Sequence, residues 1–464
     1  MKLRIIAFSW LTFCLPAWAV EPLTLDEVLS SSLEHFPRIQ RAVEEKLARE
    51  GDLQKAEGAF DLALEQDSLL WASGYYEGRS VESRLVKPLP QSNAKLTAGY
   101  RIANDDFPIY QQERVTNDAG EINFGVVFSL WRDRDIDPRR FELLRARLAI
   151  TEADLDLALA RVVTQRNAAH AYWRWVAAGR RVEIYRQLAA LADARMAGLE
   201  RRVAAGDVAA IQVVENRQNL LRRQSLLTTA ERDFETTAID LSLYLRDSAG
   251  RPLQPSPTRA PAALQPLAPL PAHDRAFIAA VLERRPEFAR IDAGLDRERG
   301  RLRLAENELK PRIDLGLKAG QDLGGGARSR EDFDTLVDVT ISIPLETRRG
   351  RGMAAEARSR LRQLELDRQL LQDQVAIEID KLETTIDAAR EFVGLTSAEV
   401  EQAALMEQAE RDRFSAGASD FFLVNLREER SADARIRHID AHLGYTTSVV
   451  DYQAATFDTT ALGL

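Results

Sequence analysis

The chain has 464 residues, 45% of them hydrophobic and 29% charged, with a formal net charge of −9 and one cysteine. So acidic a chain is a poor partner for nucleic acid, whose phosphates need a basic face, and a lone cysteine rules out a disulfide framework or a thiolate metal cluster. After the N-terminal apolar stretch no segment approaches the ~18 apolar residues of a membrane-spanning helix, so a membrane could be crossed only with strands.

The first 19 residues read MKLRIIAFSWLTFCLPAWA. Lys2 and Arg4 open them, an apolar stretch runs from Ile5 to Leu15, and Ala17-Trp18-Ala19 forms a small-residue cleavage site, the make-up of a secretory signal peptide. Phe13 stands where a lipoprotein would need a small residue before its cysteine. Cleavage removes Cys14 and two cations, which takes the charge from −9 to −11.

Residues 20–247 then read as helix, alternating sequence, and very long helix. Strands are expected within 61–131. The windows there are a mixed run at 62–77, KLTAGYRI at 95–102 and EINFGVVFSLW at 121–131. In the last, Ile122, Phe124, Val126, Phe128 and Leu130 alternate with Glu121, Asn123, Gly125 and Ser129, giving one apolar and one polar face. The cluster RDRDIDPRR at 132–140 closes the strands as a solvated collar, with Trp131 as an interfacial aromatic. Pro138 suits a first helical turn, and nothing breaks the helical pattern until Gly206. Helices are expected over 138–205 and 208–246. At ~1.5 Å per residue the first would extend roughly 100 Å. Leu148, Leu155, Val162, Ala169 and Val176 recur every seven residues along it, a coiled-coil spacing.

Residues 248–274, rich in proline and alanine, read as a linker. The plan then repeats over 275–464. LEHFPRIQRAVEE at 33–45 returns as LERRPEFARIDAG at 282–294, with Leu33/Leu282, Glu34/Glu283, Pro37/Pro286 and Arg41/Arg290 in register. Helix is expected at 286–310, strands within 312–345, and long helices at 353–416 and 419–458. Ile313, Leu315, Leu317 and Ala319 alternate with Arg312, Asp314, Gly316 and Lys318. Residues 336–345, LVDVTISIPL, place Val337, Val339, Ile341 and Ile343 on one face and Asp338, Thr340 and Ser342 on the other. GGGA at 324–327 lacks the lysine of a phosphate loop and reads as a surface hairpin loop. ETRRGRG at 346–352 is a second collar, and Val375, Ile379, Leu382, Ile386, Ala389 and Val393 step by four and three down the following helix. Gly206 and Gly417 interrupt the two long helices at matching places, and each also suits an ordinary helix C-cap.

Strands with one apolar and one polar face are what an outer-membrane barrel needs, lipid outside and water inside. A closed barrel takes at least about eight strands, more than one chain offers, and an open edge does not survive in lipid. The barrel must then be shared by subunits in a symmetric ring.

A duplicated exported chain with paired strands and helices of this length resembles the TolC family of outer-membrane efflux proteins, from LTLDEVLSSSLEHFP at 23–37 to DYQAATF at 451–457. RFSAGASDFFLVNLREER at 413–430 is similar to the family's turn at the closed periplasmic end, and ISIPLE at 341–346 to its strand-to-helix exit. The resemblance implies a mainly α fold with membrane β. A homotrimer would share a 12-stranded barrel, about four strands per subunit, above a long periplasmic α-helical barrel. It also implies docking to a periplasmic adaptor and an inner-membrane pump, outer-membrane lipid around Val337, Val339, Ile341 and Ile343, and no cofactor. Gly206, Asp207, Gly417 and Ala418 fall at the adaptor-docking tips, and Phe414, Ser419 and Asp420 at the periplasmic aperture. Two departures stand out. Residues 79–120 are longer than two strands require, and Leu423 and Leu426 stand where the family often carries gating aspartates.

His438 and His442, at i and i+4, share a helix face without a third ligand in view, and read as solvated rather than metal-binding. No catalytic constellation is recognisable. The runner-up reading, a periplasmic coiled-coil adaptor or scaffold without a barrel, leaves the alternating strands unexplained.

Overall fold

A computed structural model describes residues 21–104, 107–108, 111, 114–262 and 275–464, with the side chains of 275 and 276 excepted. The expected signal peptide with Cys14, and 263–274 of the expected linker, lie outside the described residues. The chain forms two compact units. One holds 21–39, 161–262 and 378–464; the other holds 40–160 and 275–377, within the described residues.

The internal repeat is visible at each entrance. Helix α1 (Leu25–His35) is capped by Thr24, whose hydroxyl accepts from the Glu27 N–H at 3.2 Å. It stops before Pro37, which opens α2 (Pro37–Glu57). After the strands of the first repeat come α3 (Pro138–Ala204) and α4 (Ile211–Ser242). The second repeat matches the entrance with α5 (Arg275–Arg284) and α6 (Pro286–Asn307). A proline ring drives the preceding residue out of the helical region, and both Phe36 (ψ 124°) and Arg285 (ψ 122°) are extended. The second repeat closes with α7 (Arg348–Ser415) and α8 (Phe421–Ala455). No helix among the described residues is long and apolar enough to cross a membrane.

The second unit carries one antiparallel sheet, in the order β1 (Ala63–Leu70), β2 (Arg79–Pro88), β3 (Lys95–Ala103), β4 (Glu121–Ser129), β5 (Arg312–Asp322) and β6 (Asp334–Ser342). The sheet thus has six strands rather than about four. The extra pair escapes sequence reading because Gln66, Ser68 and Ser83 interrupt the alternation of β1 and β2. Only the register, with Leu85 opposite Leu64 and Ala98, and Val81 opposite Ser68 and Ile102, aligns their apolar residues with those of β3. Strand β2 also supplies the partner that the 95–102 window lacked. Near the base of this unit α6 lies so close to α3 that a Cβ on Gly300 would come 2.8 Å from Leu144 Cδ2.

The first unit has the larger aromatic core. Val28, Leu29, Ala169, Tyr172, Trp175, Val176, Leu241 and Val450 are buried together. Trp175 stacks on Phe234 at 5.8 Å, and a Cβ on Gly179 would come 3.0 Å from the same Phe234 ring. Tyr172 donates its hydroxyl to the Leu23 carbonyl at 2.9 Å, and burial pushes its pKa up to about 12. The narrow seams expected for the long helices are present. Val162, Ala169 and Val176 are buried on α3, as are Val375, Ile379, Ile386 and Val393 on α7. Leu366, Leu370, Phe392, Leu395 and Leu405 of α7 are left exposed, a second apolar stripe that no partner surface covers among the described residues.

Candidate functional site

The sheet registers sort the strand residues into two faces. One carries Leu64, Val81, Leu85, Leu96, Ile102, Ile122, Phe124, Leu317 and the expected Val337, Val339 and Ile341, all exposed. Ile343 lies just past the end of β6, equally exposed. Among strand residues this face has two charges, Arg79 and Lys87, at opposite ends of β2. The other face holds Glu65, Asp67, Glu82, Arg84, Arg101, Glu121, Asp314, Lys318 and Asp338, with ion pairs across strands such as Arg84–Asp67 at 3.3 Å and Arg101–Glu121. Exposed apolar surface of this extent demands a non-aqueous neighbour.

The two helix breaks have the same backbone. Gly206 (φ 79°) donates to the Val203 carbonyl at 3.0 Å and Asp207 to Arg202 at 2.9 Å. Gly417 (φ 77°) donates to Phe414 at 3.0 Å and Ala418 to Arg413 at 2.8 Å. Both are Schellman motifs, which need the left-handed conformation that glycine adopts without strain. A Cβ on either glycine would meet nothing within 4 Å, so any substitution there acts through the backbone alone. The repeats then diverge. Asp420 caps α8, its carboxylate accepting from the Leu423 N–H at 2.8 Å, whereas α4 begins after Ala210 with no side-chain cap.

The residues expected at the aperture are engaged within the chain. Phe414 packs on the buried Phe421, ring centroids 6.3 Å apart; Ser419 donates to the buried Glu410; Asp420 serves the cap. Gly206, Asp207, Gly417 and Ala418 are exposed. Phe422 and Ile211, in the opening turns of α8 and α4, are also exposed and were not singled out from the sequence.

A buried ionic cluster was missed as well. Glu428 of α8 accepts from Arg195 of α3 (3.0 Å), Arg223 of α4 (3.1 Å) and Arg411 of α7 (3.1 Å), so one carboxylate ties four helices. Arg223 and Glu428 have no exposed side-chain surface. Arg223 also donates to the Leu188 carbonyl at 3.0 Å and to Asn425 at 3.3 Å. Burial alone pushes the Glu428 carboxyl up, but the guanidiniums, Arg195 foremost, overcome it and hold the carboxyl below its usual range. The available signal was spacing: 421, 424, 428 and 431 step by three and four, which puts Glu428 on a seam otherwise led by Phe421 and Val424. His438 and His442 have ring centroids 6.4 Å apart, with Thr396 beside His438 at 3.2 Å. The pair is not solvated as expected: His442 is buried, and burial lowers the His438 pKa, which favours the neutral ring. No group of three or more metal-ligating side chains occurs among the described residues.

No protein-family model and no curated protein sequence matches the chain. Solved structures do. The outer membrane protein VceC of Vibrio cholerae is 15% identical with a TM-score of 0.64, over 93% of this chain and 95% of that one. The Campylobacter jejuni CmeC outer membrane channel is 12% identical with a TM-score of 0.62, over 98% and 94%. The open state of the Neisseria gonorrhoeae MtrE outer membrane channel is 14% identical with a TM-score of 0.62, over 93% and 88%. Identities this low speak for architecture, and the architecture agrees over nearly the full length of each. The chain has the TolC-type outer-membrane channel fold.

Proposed function

We propose that the protein is an outer-membrane exit duct, the outermost part of a tripartite efflux or type I secretion system, carrying cargo from an inner-membrane pump through the periplasm to the outside. The observation that carries this reading is the apolar face of the sheet, whose two strand charges stand at its edges. Lipid is the surrounding that makes such a face stable, and the charged opposite face then lines water. Lipid also forbids open strand edges, so copies of the chain must share the barrel, and the homotrimer implied by the resemblance supplies the ring. The exposed stripe on α7 gives the helices of neighbouring subunits a surface to pack on.

The turns at Gly206 and Gly417 end the helices that follow the last strand of each repeat. They are the parts of the chain best placed to meet a periplasmic adaptor, six per trimer. A photo-crosslinker at Val208 or Ala418 is expected to capture the adaptor in cells, and one at Gly325, in the loop between β5 and β6, is not. Capture only from Gly325 overturns the docking assignment.

Gly417→Val tests the same turn. A β-branched residue at this φ costs about 1–2 kcal/mol, which deforms the turn without dissolving helices of this length. Export is expected to be abolished while trimer yield and membrane insertion persist, with Gly206→Val weaker in the same direction. Assays of efflux alongside trimer recovery check it, and normal export by Gly417→Val refutes the role.

A further inference from the structure

We propose that all six strands enter the shared barrel, β6 of one subunit pairing with β1 of the next, so that three subunits close an 18-stranded barrel rather than a 12-stranded one. This rests on the membrane reading above and sets the width of the path through it.

The first ground is continuity. The β2–β3 hairpin is no excursion from the sheet, because β1–β2, β2–β3 and β3–β4 are registered over eight, nine and seven residue pairs. Its inward charges pair with those of its neighbours, Arg84 with Asp67 and Arg101 with Glu121. Its outward face keeps charge to the two ends, at Arg79 and Lys87.

The second ground is slant. On β1 the outward apolar run is centred on Gln66, between Leu62 and Leu70. The row of cross-strand partners through Gln66 passes Ser83, Tyr100, Ile122 and Gln321. The apolar runs stay near this row on β2 and β3 and slide off it from β4 onward, so that on β6, where they span Val337 to Ile343, the displacement reaches about seven residues. At ~3.3 Å per residue that is ~23 Å along the strands, against ~24 Å across five strand spacings. A level apolar band then requires strands tilted at roughly 45°, the upper end of the tilt seen in closed barrels. The hairpin strands carry the apolar band level with β1, and β4 to β6 carry it on along the slant.

The third ground is the pair of outer edges. The sheet ends at β1 and β6, and neither carries the lysine or proline that blunts an edge in water. With six strands the two edges run antiparallel. Continuing the slant across the subunit boundary sets Val339 opposite Gln66 or Ser68 of the neighbour, with both strands overlapping throughout. Barrel diameter grows about linearly with strand number. At ~4.8 Å per strand and the tilt above, 18 strands give about 39 Å between backbones and 12 give about 26 Å. The outer segment therefore passes cargo of polypeptide bulk and sieves small molecules little.

Cysteine pairs in the otherwise full chain test this in outer membranes. Val339→Cys combined with Gln66→Cys or Ser68→Cys is expected to give disulfide-linked dimers and trimers on nonreducing gels. Leu64→Cys with Leu85→Cys, and Ala98→Cys with Phe124→Cys, are expected to close within each subunit of that trimer. Electron microscopy of the trimer in lipid nanodiscs is expected to show the wider ring. Edge crosslinks with a ring of about 26 Å, or without the two internal ones, overturn the 18-stranded barrel and leave the duct standing. A protein that neither inserts nor crosslinks at the edges overturns both.

Discussion

Val339→Arg is expected to lose about 2–4 kcal/mol of membrane stability, whereas Thr340→Arg, one residue on, is expected to assemble almost normally. Successive side chains of a strand point to opposite faces. Val339 shares its face with Leu315 and Phe128, and Thr340 shares the other with Asp314 and Ser129. A guanidinium among the first group must be drawn into hydrocarbon; in the second it meets water and a carboxylate. The urea midpoint of the protein folded in liposomes, with the yield of trimer in outer membranes, reads the difference. Equal damage from both substitutions removes the lipid and lumen assignment of the sheet.

Glu428→Gln is expected to be worse than any single change at the helix surface. It would strand Arg223, with no exposed side-chain surface, together with Arg195 and Arg411 around a neutral amide. Breaking a buried pair from one side costs about 3–5 kcal/mol, since the remaining charge has lost both water and partner. Arg222→Ala breaks the neighbouring but exposed pair with Glu429 and is expected to cost about 0–1 kcal/mol. The heat-unfolding midpoint by circular dichroism separates the two. Acid is the complementary probe. The folded carboxyl titrates below its unfolded value, so its contribution is complete above the ordinary carboxylate range and is lost as pH falls through the folded pKa. The native protein should thus shed stability in acid more steeply than Glu428→Gln. A variant as stable as the native chain, with an unchanged acid limb, refutes the tie.

Much of this was legible in the sequence, for identifiable reasons. Strands β4, β5 and β6 were readable because their alternation is nearly unbroken, and α3 and α7 because no proline or glycine pair interrupts their seams. Gly206 and Gly417 announced themselves as breaks in long periodic helices. Strands β1 and β2 were not readable as a pair, because Gln66, Ser68 and Ser83 sit where apolar residues would mark the face. The Glu428 cluster joins two pairs of consecutive helices, α3–α4 and α7–α8, about two hundred residues apart, so spacing could place Glu428 on a seam but not name the arginines that meet it. Phe414 and Ser419 were expected at a periplasmic aperture, and their intrachain partners, Phe421 and Glu410, were not legible in the sequence.

The unequal capping of the two turns bears on how evenly the tips of such a duct hold together. In α8 the first turn is pinned by the Asp420 carboxylate, while in α4 the amides of Gln212 and Val213 rely on the Ala209 and Ala210 carbonyls, at 3.0 and 3.1 Å. A missing cap is worth about 1 kcal/mol, so the opening of α4 unwinds roughly five times as often as that of α8. In the proposed trimer, soft and firm turns would alternate, and the proposed adaptor, gripping all six, would feel threefold rather than sixfold stiffness. Amide exchange at 211–214 should outpace that at 421–424 by about the same factor.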